Sequence, residues 1–354
     1  MDELTERHRQ LLAAYDIGAV LDVAALHGGM FLKPLRIDTG DGRFVLRGTR
    51  FRPTVEAFEF QAQAMNHVAA HGVRCPRVLQ DREGRLAQAC DGAAWALVEY
   101  LDGYTCPWPR WCEATHDEPG FIEPIARQVA ALHDLLGSVG PAGDPAMSHE
   151  FPPIQFRLLD ETCRHWNESL DAMSQLAEIA AARSRDTFMR LRDKLDGHWR
   201  WLCETAQTKH VAELPQQIVH GDMSPVNLVF LDHGKGCGFI DWDNLHVGNR
   251  FYDCLGDVLN RPPVDERRYH RLHLDAARRY LDSYRRSVQE PVTDHELACV
   301  RLFCLARQME DLRQRVAALP SLSADSDDEY AALIEIRIGM MDQVRETRDE
   351  DWII

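Results

Sequence analysis

No stretch of the 354-residue chain approaches the ~18 consecutive apolar residues of a bilayer-crossing helix. Positive charge is also scarce. Lys and Arg number 40 against 56 Asp and Glu, and a formal charge of −16 opposes a phosphate backbone or an anionic membrane surface unless the few cations are gathered in one place. No nucleic-acid or membrane partner is therefore expected. Cys-x-x-Cys is absent, and the ten cysteines are dispersed from Cys75 to Cys304, which reads as reduced thiols and excludes a disulfide framework or a zinc cage. The first residues, Met1-Asp2-Glu3-Leu4-Thr5-Glu6, lack the basic and apolar stretches of a signal peptide, so a soluble, cytoplasmic protein is expected. Internal repeats and long low-complexity tracts are missing as well.

What is present is apolar material, 45% of residues, enough for one large two-lobed domain or two modest ones. The first hundred residues alternate strand-like and turn-like segments, and the rest is dominated by helix-period stretches, which predicts two lobes. Leu35 to Thr39 and Arg43 to Arg47 flank an Asp-Gly bend and read as a hairpin. Between Thr54 and Ala70, Phe58, Met65 and Val68 recur at helical spacing, and Gln61 fills the remaining place on that inward stripe, where an amide needs a partner. Gly72 is expected to end this helix. Ala94 to Leu101 reads as a buried strand, and Ile122, Ile125, Val129, Leu132 and Leu136 define an amphipathic helix stopping at Gly137. Gly137 to Pro153 reads as a loop, 155–207 as helical, and the acidic Ser321 to Glu329 segment as a solvated loop.

The densest polar cluster within apolar sequence lies between Ile218 and Asp253. Ile218-Val219 leads into His220-Gly221-Asp222 and, after four intervening residues, Asn227; a second apolar run delivers Asp241-Trp242-Asp243. Such a set suits phosphoryl transfer: one carboxylate orients an acceptor hydroxyl, while an amide and a carboxylate oxygen hold Mg²⁺, which prefers hard oxygen donors. The Asp-x4-Asn spacing equals that of the kinase catalytic loop, with Gly221 in place of its Arg.

On these residues, with Gly248, Tyr252-Asp253 and Glu99-Tyr100-Leu101-Asp102-Gly103 in matching order, the chain resembles the aminoglycoside phosphotransferase/choline kinase-like enzymes. The resemblance implies an α+β, bilobal protein-kinase-like fold. Residues 1–103 would form a small antiparallel-sheet lobe covering the nucleotide, and 104–354 a larger, mainly helical lobe for catalysis and substrate. It further implies ATP and Mg²⁺ as cofactors, Asp222 as the catalytic aspartate, and Asn227 and Asp241 as metal ligands. His220 and Asp253 would support the loop, Gly28 and Gly29 would cover the phosphates, Val45 would roof the adenine, and the Glu99, Tyr100 and Leu101 backbone would bind its edge. Arg47 would hold the phosphates. Gln61 falls where kinases carry the Glu that pairs with this base, and its oxygen would accept from the guanidinium, without the charged contribution of a carboxylate. Leu32 departs from the polar residue common at its place.

Several residues keep two readings. Asp243 is a metal ligand or support, or a loop cap; Arg47 and Gln61 are nucleotide-binding residues, or a solvent-facing strand residue and a stray amide. His133 reads as a packed histidine. Trp108 and Trp111, in a Pro-rich stretch read as a loop, either wall a substrate pocket or simply pack. The acceptor is expected to be a small-molecule hydroxyl on an amino sugar, amino alcohol or hydroxy amino acid. Rival readings are a nucleotide-binding regulatory module, a protein Ser/Thr kinase and a divalent-metal phosphohydrolase.

Overall fold

The computed structural model describes residues 4–26, 32–49, 54–118, 120–140, 182–231, 236–260, 274–318 and 327–352, with Trp166, Asn167, Leu170, Asp171 and Ser174. The hairpin forms from β2 (Leu35–Thr39) and β3 (Gly42–Thr49), which pair antiparallel with Leu35 opposite Leu46 and Thr39 opposite Gly42. Gly40 and Asp41 make the turn. With β1 (Val20–Ala25), β4 (Gln88–Cys90) and β5 (Ala93–Glu99) they build a five-stranded antiparallel sheet of order β1-β2-β3-β5-β4.

β5 is buried along almost its whole length because both faces of the sheet are covered. Ala93, Trp95 and Leu97 join Ile37 and Leu46 in a small core closed by Leu11 and Leu12 of α1 (Glu6–Ala13), whereas Ala94, Ala96 and Val98 enter the main core. The other covering element is α2 (Val55–Ala70), whose Phe58, Met65 and Val68 are buried together with Gln61. Alternation on β3 places Leu46 in the small core, and Val45 packs against the main one. Arg47 follows Val45 by two residues and shares its face.

The rest of the described chain is mainly helical, with α3 (Trp108–Asp117), α4 (Ile122–Ser138), α5 (Ala182–Thr208), α6 (Arg250–Asn260), α7 (Leu274–Ser287), α8 (Val300–Ala318) and α9 (Asp327–Glu346). Three sequence expectations change here. The Pro-rich stretch after Cys106 is helical, because Pro107 and Pro109 fall at the cap and first turn, where a missing N–H breaks no intrahelical bond. α4 runs through Gly137 to Ser138, since Gly137 has no positive φ and the chain leaves the helix at Val139. Asp327, Asp328 and Glu329 open α9, an end of a helix where acidic residues are favoured; Asp325 lies outside the described residues, as do 141–153 of the expected loop and most of 155–181. Trp111 is packed, its ring 5.2 Å from Phe121 and 6.3 Å from Phe230, and the Trp108 side chain lies outside the described ones.

Where α5 meets α9, His198 is almost wholly buried; its Nε2 faces Asp342 Oδ1 at 3.2 Å and its Nδ1 has no partner among the described residues. Burial holds this imidazole down at about 4, against the opposing pull of Asp342. The folded protein therefore keeps it neutral while the unfolded chain takes up a proton near pH 6.5, so its stabilising effect is intact above that pH and is lost as pH falls towards 4. Melting temperature measured from pH 7 to pH 4.5 is expected to fall, and more steeply in the wild type than in His198→Gln; equal slopes would contradict this assignment.

Candidate active site

Two short strand pairs position the polar cluster. β7 (Gln217–Val219) pairs with β10 (His246–Gly248), and β8 (Leu228–Phe230) pairs with β9 (Cys237–Phe239), with β6 (Tyr104–Thr105) on the outer side of β8. The β8–β9 ladder is extended by Ile240 N–H donating to the Asn227 carbonyl at 2.9 Å. Asn227 and Asp241 are therefore neighbours across one ladder. The Asn227 amide nitrogen donates to the Asp222 carbonyl at 3.2 Å, which fixes the amide and leaves its oxygen as the end available to a ligand.

The loop carrying Asp222 is held by a buried carboxylate. Asp253 of α6 accepts from His220 N–H (3.0 Å) and Gly221 N–H (3.0 Å), and His133 Nε2 of α4 lies 3.1 Å away. Burial works against its charge, yet hydrogen bonding and the histidines around it keep its carboxyl below the usual range. With Nε2–H donating to Asp253, His133 Nδ1 is the acceptor for Tyr284 Oη of α7 at 2.8 Å. The expected packed histidine is thus part of the loop's support.

His220 ties the loop to the end of β9. Its Nε2 faces the Ile240 carbonyl at 3.1 Å and its Nδ1 accepts from Asp222 N–H at 3.3 Å. Only a neutral ring can do both, and burial accordingly lowers its pKa to about 4. Gly221 adopts φ +85°, and a Cβ there would run into the Asn244 carbonyl oxygen and lie 2.8 Å from His246 Nδ1. That lack of room explains why no arginine stands at this place.

Asp241 has φ 62° and ψ 68°, a left-handed conformation that a non-glycine residue adopts under strain. Asp241 is itself exposed, and desolvation by the protein around it, then the charge of Asp243, pushes its carboxyl up to about 6, with Arg47 pulling down. Two carboxylates crowded in this way, next to a fixed amide oxygen, suit a divalent cation with hard-donor preference. Among the described residues no set of three His, Cys, Asp or Glu side chains encloses a metal, so a cation here would complete its shell with Asn227, water or phosphate oxygens.

Arg47 reaches this region from the sheet. Its Nη2 donates to Asp243 Oδ1 at 2.5 Å, both side chains being mostly buried. Burial disfavours the guanidinium's charge, but Asp243 and Asp241 outweigh it and raise its pKa. Gln61 does not accept from Arg47. Its Nε2 lies 3.5 Å from the same Asp243 oxygen, and its fully buried Oε1 has no partner among the described residues, a loss worth about 1–3 kcal/mol. The carboxylate beside Arg47 therefore comes from the loop after β9 and not from α2. This partner was not read from the sequence, although a neutral residue at the usual glutamate place was the signal to look for one.

At the end of β5, Glu99 N–H and Tyr100 N–H donate to the Arg77 and Arg43 carbonyls, and Leu101 N–H has no backbone acceptor among the described residues. Arg43 lies over the Tyr100 ring at 5.1 Å and pairs with Asp102. Gly103, at φ +147°, passes so close to the Phe230 carbonyl that no side chain would fit. Gly28 and Gly29 lie outside the described residues. Leu32 packs against the small core, which accounts for an apolar residue there.

A five-stranded antiparallel sheet over a helical region, with an Asp-x4-Asn loop and a following aspartate between them, defines a protein-kinase-like phosphotransferase. The chain belongs to the phosphotransferase enzyme family, whose sequence profile matches residues 30–287, and it is an ATP-dependent small-molecule kinase of that family. It is 25% identical over 320 residues to a homoserine kinase of Nitrobacter hamburgensis, covering 89% of this chain and 83% of that one. In fold it is similar to a microcompartment-associated aminopropanol kinase (TM-score 0.63, 17% identity, 97% of both chains). It is also similar to a spectinomycin phosphotransferase solved with ADP and spectinomycin (TM-score 0.60, 11% identity, 96% and 99%).

Two substitutions test the local geometry. Gly221→Ala is expected to destabilise the protein by about 2 kcal/mol or more, read from urea unfolding. Asp241→Asn, which removes the crowded charge and tolerates the left-handed backbone, is expected to move the urea midpoint upward; a lower midpoint would contradict the strain and repulsion described for Asp241.

Proposed function

We propose that the protein transfers the γ-phosphate of ATP to the hydroxyl of a small molecule that also carries an amino group: an amino alcohol, a hydroxy amino acid or an amino sugar. The observation that carries this reading is the convergence of Asp222, Asn227 and Asp241 on a loop clamped by Asp253 and His220, with Arg47 reaching the same place from the sheet. The acceptor class is supported by the relatives, which are named for homoserine, aminopropanol and spectinomycin.

In this reading Asp222 orients the acceptor hydroxyl and takes its proton, and Arg47 holds the phosphates. The Leu101 amide and the Glu99 and Tyr100 backbone bind the adenine edge, and Val45 covers the ring. Gly28 and Gly29 approach the phosphates. Asn227 and Asp241 hold Mg²⁺, with Asp243 beside them; the ion, when bound, offsets the negative charge of the phosphate oxygens. The lobe boundary falls at Gly103, where the chain is pinned against β8. No helix among the described residues is long and apolar enough to cross a membrane, and we take the cytoplasm, where ATP is available, as the working compartment.

The test is Mg²⁺-dependent ATP turnover across labelled-ATP screens of amino alcohols, hydroxy amino acids and amino sugars. At least one acceptor is expected to be phosphorylated, with kcat reduced about 10²–10⁴-fold in Asp222→Ala. ATP turnover insensitive to that substitution, or ATP binding with no acceptor phosphorylated, would overturn the reading.

A further inference from the structure

Among the described residues the Asp243 carboxylate has two side-chain partners: it accepts from Arg47 at 2.5 Å, and the Gln61 amide nitrogen approaches the same oxygen at 3.5 Å. Gln61 is completely buried on the inward stripe of α2, and its own oxygen has no partner among the described residues. A glutamate at position 61 would bring a second buried carboxylate to a site with one guanidinium to share, and like charges at that distance repel. A neutral amide that donates to Asp243 avoids the repulsion. The charge that sets the position of Arg47 has in effect moved from α2 to the loop two residues beyond Asp241.

We infer that Asp243 is the positioning residue of the nucleotide grip: its carboxylate holds the Arg47 guanidinium oriented for phosphate, and Gln61 is neutral because Asp243 has taken that role. The inference rests on the reading of Arg47 as the phosphate-holding base. An arginine carries five N–H donors in a rigid fork, and the bond to Asp243 uses Nη2 alone, so the remaining edge can face an anion while the ring of contacts stays intact. The same pairing makes the phosphate grip move with the loop after β9 and not with α2.

The test is equilibrium binding of ADP in EDTA, by calorimetry, so that no metal contributes. Asp243→Asn is expected to weaken ADP binding about tenfold. The exchange Gln61→Glu with Asp243→Asn, which returns the carboxylate to α2, is expected to restore affinity to within about threefold of wild type. An Asp243→Asn variant that binds metal-free ADP as wild type does, or more tightly, would overturn the inference; unchanged metal-free binding with lost Mg²⁺ dependence would identify Asp243 as a metal ligand only. A double variant no better than Asp243→Asn would overturn it as well. Should Asp243→Asn not fold by circular dichroism, Asp243→Glu, whose longer arm displaces the guanidinium, is expected to show the same weakening, and wild-type affinity there would count against the proposal. Wild-type protein that binds ADP neither in EDTA nor with Mg²⁺ would overturn the nucleotide reading itself, whereas binding only with Mg²⁺ would overturn the metal-free grip assigned to Arg47 and Asp243, which separates the two failures.

Discussion

One buried carboxylate organises the functional half of the molecule. Asp253 sits in the main core and collects His220 N–H, Gly221 N–H and the ring of His133, which in turn meets Tyr284. A charge in that place is tolerated only while those donors surround it, and they come from two parts of the chain, the loop after β7 and helix α4, with Tyr284 of α7 joined through His133. The interaction therefore does two things with one group. It sets the backbone of the loop that carries Asp222, and it locks together the helices beneath that loop.

Above this anchor, the polar residues divide their tasks by protonation state. His220 is neutral because it is buried, and a neutral ring alone can both accept from Asp222 N–H and face the Ile240 carbonyl. Asp241 sits in a strained left-handed conformation with its charge crowded by Asp243, and a nearby positive charge would relieve that crowding. For a chain of formal charge −16, the pairing of Arg47 with Asp243 brings a cation to a region that the local aspartates make strongly negative. A polyanionic nucleotide needs such a local counter-charge.

Much of this was legible in the residues. The Asp-Gly hairpin, the α2 stripe and the Asp222-to-Asn227 loop depend on neighbours within a few positions, and such local constraints leave a pattern in the chain. α1 and the three-residue strands β4 and β10 were not anticipated, because eight residues or fewer carry little periodicity and their stability comes from the core they close, whereas the apolar runs of β8 and β9 were read as two strands. The helix beginning at Pro107 was hidden by residues that usually mark loops. His133 was read as packed, which its burial supports, but its bond to a residue 120 positions away carries no local trace.

The sequence by itself determined the chemistry on offer: the carboxylates, the amide and the arginine, and the spacing that puts Asp222 and Asn227 on one loop. It also flagged Gln61 as a polar residue in need of a partner. Only the tertiary structure decided who the partner was. Arg47 and Asp243 are 196 positions apart, and their pairing arises because the face of β3 that bears Val45 and Arg47 is turned to the main core, while the β8–β9 ladder delivers the loop holding Asp243 to the same place. Residue types set which bonds are possible; the packing of sheet, α2 and ladder sets the distances over which charge acts, and those distances select the bonds that form.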